Sequence, residues 1–349
     1  MGISAIFFNI SSIFFGNLPS FLKISSIFLP ASSNCFVNSC LQVLLRTHQL
    51  DFLQYCTTNN KNETDNFVLD AWNDFVSDYN NSKLSIVNPG LFIRIIHRCA
   101  KLKGNVIFSR NQQNDVSEFL MFMIECFHNS IYGPSMMVAP KPKTKVSSNV
   151  WDMLNQQTKN YSEIIDLFYG ISVKEIISPT TNTVKSIKSE QFFILDLPIC
   201  KGESVSIYDC LDLFTKKELL SGENKWYNEK TKKKEEVEIQ NTLFRLPDIL
   251  VITLGRFSEN SRIKNKQIVT FPLTNLNLEP YCHPESNKHS KYELYAICNH
   301  IGNDITGGHY NAFLKSKHNW ILCDDEHVTK LNIQDLCTSE TYCLFYRSI

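Results

Sequence analysis

Ser33-Asn34-Cys35-Phe36-Val37-Asn38-Ser39-Cys40-Leu41-Gln42 surrounds one cysteine with small polar residues and then runs into an apolar pattern. A cysteine in such a place is either a buried core thiol, the commoner case, or a nucleophile. Attack on a carbonyl requires the thiolate, which a helix N-terminus or a neighbouring imidazole stabilises. Residues 36–46 read as a helix carrying Val37, Cys40, Leu41, Leu44 and Leu45 on one face. Cys35 is therefore expected at the helix start, with Asn34 as its N-cap.

Among nine histidines, His309 stands out as a base. It lies in GNDITGGHYNAF, behind Gly307 and Gly308 and at the start of a strand-like run. Two glycines allow a substrate backbone to approach closely. The next strand-like run, WILCDD, ends in Asp324 and Asp325. A hairpin centred on Ser316-Lys317 would set residues 309 and 324 opposite each other, about 4.5–5.5 Å apart at Cβ. A carboxylate there can orient an imidazole and stabilise its cation. Singly, Gly-Gly-His is usually a loop and Asp-Asp a turn. Together with a cysteine at a helix start, they describe a Cys-His-Asp nucleophile system.

These residues need elements to position them. Residues 113–128 read as a helix: Val116, Phe119, Leu120, Met123, Ile124 and Phe127 recur at three and four residues. Asp115 can cap its start, with Glu118 as capping-box partner. SEIIDLFYG (162–170) reads as a short helix closed by Gly170. From about residue 171 the period shortens. EQFFILDLPI, ILVITLGRF, YELYAICNH, HYNAFLK, WILC and YCLFYR read as strands. Helices first and strands later predict an α+β domain. The lysine-rich stretches 139–149 and 221–238 read as solvated loops or a solvated hairpin.

Acidic and basic residues balance at 35 each, which excludes a strong electrostatic case for nucleic acid or an anionic membrane surface as partner. Twelve scattered cysteines, several in apolar runs and none in a CxxC pair, suit reduced thiols in a cytoplasmic or nuclear protein. They argue against a structural zinc site built from such pairs. Residues 1–31 form an apolar leader with its first charge at Lys23. It lacks the basic start of a signal peptide. Asn9, Asn17, Pro19 and Lys23 interrupt it as a membrane span.

Beyond these features, the chain resembles the ubiquitin-specific proteases, papain-like ubiquitin carboxyl-terminal hydrolases, over about residues 33–347. NCFVNSCLQVL resembles that family's cysteine box, and QNDVSEFLMFMIECFH the box that follows it. RLPDILVITLGRF, FPLTNLNLEPY, YELYAICNHIGNDITGGHYNAFLK, WILCDDEHVTKL and TYCLFYR resemble its later boxes, in the same order. The resemblance implies a catalytic domain over residues 32–349, a papain-like α+β fold with helical thumb and antiparallel palm and fingers. It implies Cys35 as nucleophile, His309 as base and Asp324 as orienting carboxylate, with no cofactor. It implies ubiquitin and ubiquitinated proteins as partners of a monomeric chain. Asp115, Glu118, Gly307, Gly308 and Tyr310 fall where the ubiquitin tail would lie. Carboxylates suit the arginines of that tail.

Two departures stand against the family pattern. An asparagine expected five residues before the cysteine, as an oxyanion donor, is replaced by Pro30. One such donor is typically worth about 10²–10³ in rate. Either the chain is a weakened or inactive ubiquitin binder, or the segment before residue 32 is mis-assembled. Asn34 and the Cys35 N–H remain as candidate donors. A protease of another ubiquitin-like modifier is a further alternative. The second departure is in the fingers, where the paired cysteines that hold zinc in many relatives are missing, so metal-free fingers are expected.

Overall fold

The computed structural model describes residues 23–24 and 31–349, apart from 60, 83–85, 111, 136–141, 143, 258–262, 287–289, 305–306 and 318. The leader apart from 23–24 and Ala31, and Pro30 with it, lies outside the described residues.

The helical half packs around the cysteine helix, Ala31–Leu44. From Asn34 to Leu44 every residue is buried: apolar Cys35, Phe36, Val37, Cys40, Leu41, Val43 and Leu44, and polar Asn34, Asn38, Ser39 and Gln42. A helix buried all round belongs to the centre of a domain. The helices Glu63–Asn81, Gly90–Leu102 and Val116–Ile131 surround it. Rings knit them together. Phe36 meets Phe119 edge-on at 5.4 Å, and Trp72 packs on Phe127 at 5.6 Å. Such pairs add about 0.5–1.5 kcal/mol beyond their buried area.

The palm is one sheet. Its strands run in the order His327–Leu331, Trp320–Asp324, Gly307–Lys315, Lys291–Asp304, Thr341–Ser348, Ile249–Gly255 and Ile194–Pro198, with Leu276–Asn277 also paired to Lys291–Asp304. Neighbours are antiparallel except the last pair. Ile249–Gly255 shows why ILVITLG is apolar throughout. Ile249 and Val251 face the helical core, while Leu250, Ile252 and Leu254 face a second core on the other side. A strand covered on both faces cannot alternate with polar residues. The cysteine helix packs against the histidine strand, Gly307–Lys315.

The fingers are a four-stranded antiparallel sheet ordered Val184–Phe192, Gly170–Ile177, Val237–Arg245 and Glu218–Leu220. Helix Lys145–Gln157 covers it through Val146 and Val150, packed on Ile171 and Val173.

The predicted α+β class and strand runs are present, with three differences. Gly170 does not close a helix: the helix is Glu163–Phe168, and Gly170 opens a strand. A Cβ there would lie 2.2 Å from the Phe192 ring and 2.8 Å from the Arg245 carbonyl, so glycine admits that ring. Part of the lysine-rich stretch 139–149 is helical. Thr144 caps it, accepting from the Ser147 N–H at 3.0 Å while Ser147 Oγ accepts from the Thr144 N–H at 2.9 Å. EQFFILDLPI divides between fingers and palm at Phe193. The stretch 221–238 contains the expected hairpin, Trp226–Asn228 against Lys233–Glu235.

Candidate active site

Cys35 does not begin its helix. The helix starts at Ala31, so Cys35 and Asn34 lie within its second turn and Asn34 is not an N-cap. The helix is extended by the small residues Ala31, Ser32 and Ser33, which the apolar-period argument left outside it. Cys35 is 1% exposed, and its thiol is hydrogen-bonded to the His309 ring. Asn34 is buried beside it.

His309 Nε2 meets Asp324 Oδ1 at 2.5 Å. The hydrogen bond to Asp324 and then the one to Cys35 push the imidazole up to about 10. The His309 bond holds Asp324 below the ordinary carboxylate range. Both shifts favour a charged imidazolium–carboxylate pair.

The hairpin that joins the two strands differs from the expected one. Lys315 pairs with Trp320 and Ala312 with Cys323, so the connection is two residues longer than a turn on Ser316-Lys317. Continued, this register sets Asp324 against position 311 rather than against His309. A shift of two leaves both side chains on one face. They meet diagonally, within reach of an imidazole and a carboxylate.

Asp325 sits beside the pair. Ligand atoms of His309, Asp324 and Asp325 lie within 4.8 Å of one another. Asp325 has φ 47°, the left-handed region, and its Oδ1 accepts from Asn38 Nδ2 at 2.6 Å. Burial raises its pKa and the Asn38 bond opposes the rise. Asn38 is one helical turn past Cys35, so this bond ties the cysteine helix to the end of the Asp324 strand.

The site opens into a cleft of about 370 Å³ lined by Cys35, Gln113, Asp115, Glu118, Gly308 and Tyr310 among others. Asp115 caps the helix as expected. Its Oδ1 accepts from the Ser117 N–H at 2.8 Å, the Glu118 N–H at 3.2 Å and the Ser117 hydroxyl. Its Oδ2 accepts from Tyr342 at 2.8 Å and Tyr310 at 3.2 Å. These two tyrosines were not read as Asp115 partners, because they lie 227 and 195 residues away. Glu118 does not return a capping-box bond. Its side chain is exposed, and partial desolvation followed by the Asp115 charge raises its pKa.

Gln113 adds a contact absent from the sequence reading. Its Nε2 donates to the Gly308 carbonyl at 2.8 Å, and its Oε1 accepts from the Gly308 N–H at 3.1 Å. One carboxamide thus clasps both backbone polar groups of a single residue across the cleft. Gly307 and Gly308 line that cleft as expected. A Cβ on Gly308 would lie 2.5 Å from His300 Nε2 and 2.7 Å from the Ile301 carbonyl.

All twelve cysteines are free. No helix of the described residues is long and apolar enough to cross a membrane.

Comparison with known proteins follows the same outline. A family profile described as ubiquitin carboxyl-terminal hydrolase matches residues 30–346. Ubiquitin carboxyl-terminal hydrolase 2 of Rattus norvegicus is 31% identical over 332 residues, covering 90% of this chain and 52% of the rat protein. Ubiquitin carboxyl-terminal hydrolase 21 of Bos taurus is 29% identical over 351 residues, covering 90% of this chain and 60% of the bovine one. The chain thus spans about half the length of the curated relatives it matches. Among solved structures, the SAGA Ubp8/Sgf11/Sus1/Sgf73 DUB module bound to ubiquitin aldehyde superposes with a TM-score of 0.70 at 23% identity, covering 94% of this chain and 70% of that one. By its fold and by the match along nearly its whole length, the chain belongs to the ubiquitin carboxyl-terminal hydrolase family, as a ubiquitin-specific protease.

Proposed function

We propose that this chain is a cysteine deubiquitinase that cleaves the bond after the C-terminal glycine of ubiquitin. The observation that carries this reading is the line from Cys35 through His309 to Asp324, which reaches the cleft at Cys35. Cys35 Sγ attacks the glycine carbonyl carbon, and His309 holds the thiol proton. When the carbon–nitrogen bond breaks, His309 delivers that proton to the leaving lysine amine. A thioester remains. His309 then takes a proton from water, whose oxygen displaces the thiol and releases the ubiquitin carboxylate. Asn34 is the candidate side-chain donor to the oxyanion.

The tail of ubiquitin would enter between Gly307-Gly308 and the helix that Asp115 caps. Asp115 already accepts five hydrogen bonds. A carboxylate has about four lone-pair sites. Asp115 therefore shapes the cleft through Tyr310 and Tyr342, and the exposed Glu118 is the carboxylate available to an arginine. The metal-free reaction and a cytoplasmic or nuclear location are part of the same reading.

The test is ubiquitin with an electrophile at its C-terminus, reacted with the chain and with Cys35→Ala. An adduct that disappears in the variant supports the proposal. No adduct, but retained binding of unmodified ubiquitin, replaces it with a ubiquitin binder. Neither adduct nor binding removes ubiquitin as the substrate.

A further inference from the structure

Behind the Cys35–His309–Asp324 line lies a second line of side chains. Asn299 and Asn311 are direct cross-strand partners in the palm. They are 1% and 6% exposed. Asn299 Nδ2 donates to Asn311 Oδ1 at 2.9 Å. The register of the next strand, continued one residue past Ala312 and Cys323, sets Asn311 directly across from Asp324 on the same face, and the Asn311 side chain helps hold the Asp324 carboxyl low. Neither asparagine lines the cleft.

The direction of each bond is determined. Asp324 is ionised and can only accept. Asn311 must therefore turn its amide nitrogen toward Asp324, which leaves its oxygen facing Asn299. Asn299 must then turn its own nitrogen toward that oxygen. Its Oδ1 is left buried and without a hydrogen-bond partner among the described residues. A buried polar atom left without a partner is unfavourable. The opposite amide orientation would leave Asn299 Nδ2 in that position instead, and would aim the Asn311 oxygen at the Asp324 carboxylate. The observed arrangement is the one that serves Asp324. The partner it provides is also neutral, so it holds the carboxylate without competing as a cation with His309.

We propose that Asn311, oriented by Asn299, is a positioning residue that fixes the Asp324 carboxylate on His309. The proposal rests on the Cys-His-Asp reading above and adds to it two residues that act only through Asp324. With Asn311 removed, Asp324 can rotate away from the ring. The imidazolium then loses its counter-charge, and the thiolate it stabilises becomes less populated at low pH.

Two readouts test this on the full chain with Asn311→Leu and Asn311→Ser, after thermal melts show that each variant is folded. The first is kcat and KM on a fluorogenic ubiquitin C-terminal substrate. The second is the pH dependence of Cys35 alkylation by iodoacetamide, with Cys35 followed by peptide mass spectrometry because eleven other cysteines are present. This second readout does not involve ubiquitin. Asn311→Leu is expected to lower kcat about 10–100-fold, the usual effect of a lost orienting partner, with KM within about twofold. The low-pH limb of Cys35 alkylation should move to higher pH. Asn311→Ser keeps a donor and should recover part of both losses. An unchanged alkylation limb in Asn311→Leu overturns the proposal, even if kcat falls. Equal losses in the Leu and Ser variants also overturn it. If neither Asn311 variant folds, Asn299→Ser is read the same way, and an unchanged limb there overturns the proposal. A shifted limb in a chain that does not turn over the ubiquitin substrate supports the positioning role while removing ubiquitin as the substrate.

Discussion

Replacing Asp115 separates its structural work from any direct contact with a substrate tail. In Asp115→Ala the helix Val116–Ile131 loses its N-cap bonds to the Ser117 and Glu118 N–H groups. Loss of an N-cap costs about 1 kcal/mol. Tyr310 and Tyr342 also lose a charged acceptor. Hydrogen bonds to charged groups are worth about 1.5–3 kcal/mol each. Both hydroxyls border the open cleft, where water can replace the lost acceptor in part, so one such bond is the better measure. The sum is about 3 kcal/mol, a large share of the roughly 5–15 kcal/mol by which domains are stable. Asp115→Asn behaves differently. Asparagine caps as well as aspartate, and its amide can donate to the phenol oxygens, so only the charge contribution is lost, about 1 kcal/mol. Urea unfolding at pH 7 measures both. The reasoning fails if Asp115→Ala costs under 1 kcal/mol, or if the Asn and Ala variants are equally unstable. A stable Asp115→Ala protein with weakened ubiquitin binding would mean that the carboxylate meets the tail directly.

Asp324→Ala should return the His309 pKa from about 10 toward its ordinary value near 6.5, followed by NMR titration of the ring. Without its orienting carboxylate, turnover should fall on the order of 10³-fold or more. Because the folded-state pKa of His309 is raised, the pair's stabilisation is full below about pH 6.5 and is lost as pH rises toward about 10. The unfolding penalty of Asp324→Ala should therefore be larger at pH 6 than at pH 10. Gly308→Ala forces a methyl against His300 and the Ile301 carbonyl; overpacking of this kind costs about 1–3 kcal/mol, read from the thermal midpoint. Gln113→Ala removes the clasp. Amide exchange at Gly308 should accelerate while global stability changes by less than about 1 kcal/mol, since the contact is exposed.

Where the chemistry and the periodicity coincide, the sequence was readable. His309 and Asp324 stood at the ends of short apolar and aromatic runs that read as strands, and Asp115 stood just before a strong helical repeat. The helix Glu63–Asn81 escaped notice although Val68, Leu69, Trp72, Phe75, Val76 and Tyr79 are buried along one side. Its many asparagines and aspartates are weak helix formers, and burial of the apolar stripe overrides that local preference. The start of the cysteine helix was misplaced because its first turn contains no apolar repeat. The register of the histidine hairpin could not be fixed without knowing its turn. The bonds that complete the site were out of reach for a different reason. Asn38 and Asp325 are 287 residues apart, and Gln113 and Gly308 are 195 apart. Local propensity carries no information at such separations; only the assembled sheet and helices bring them together.

None of the described residues in the connection from Lys315 to Trp320 lines the cleft. The length of this connection nevertheless matters more than its composition. A one-residue slip of the pairing it closes would turn Asp324 to the far side of the palm. A two-residue slip would keep the side: in one direction it would set Asp324 directly against His309, and in the other it would carry the carboxylate roughly 6.6 Å further from the ring along the strand. Substitutions in this connection should therefore be well tolerated, while changes that slip the pairing by an odd number of residues should not. A slip started there would break the contact of His309 with Asp324 from the opposite end of a hairpin, without any change at either residue.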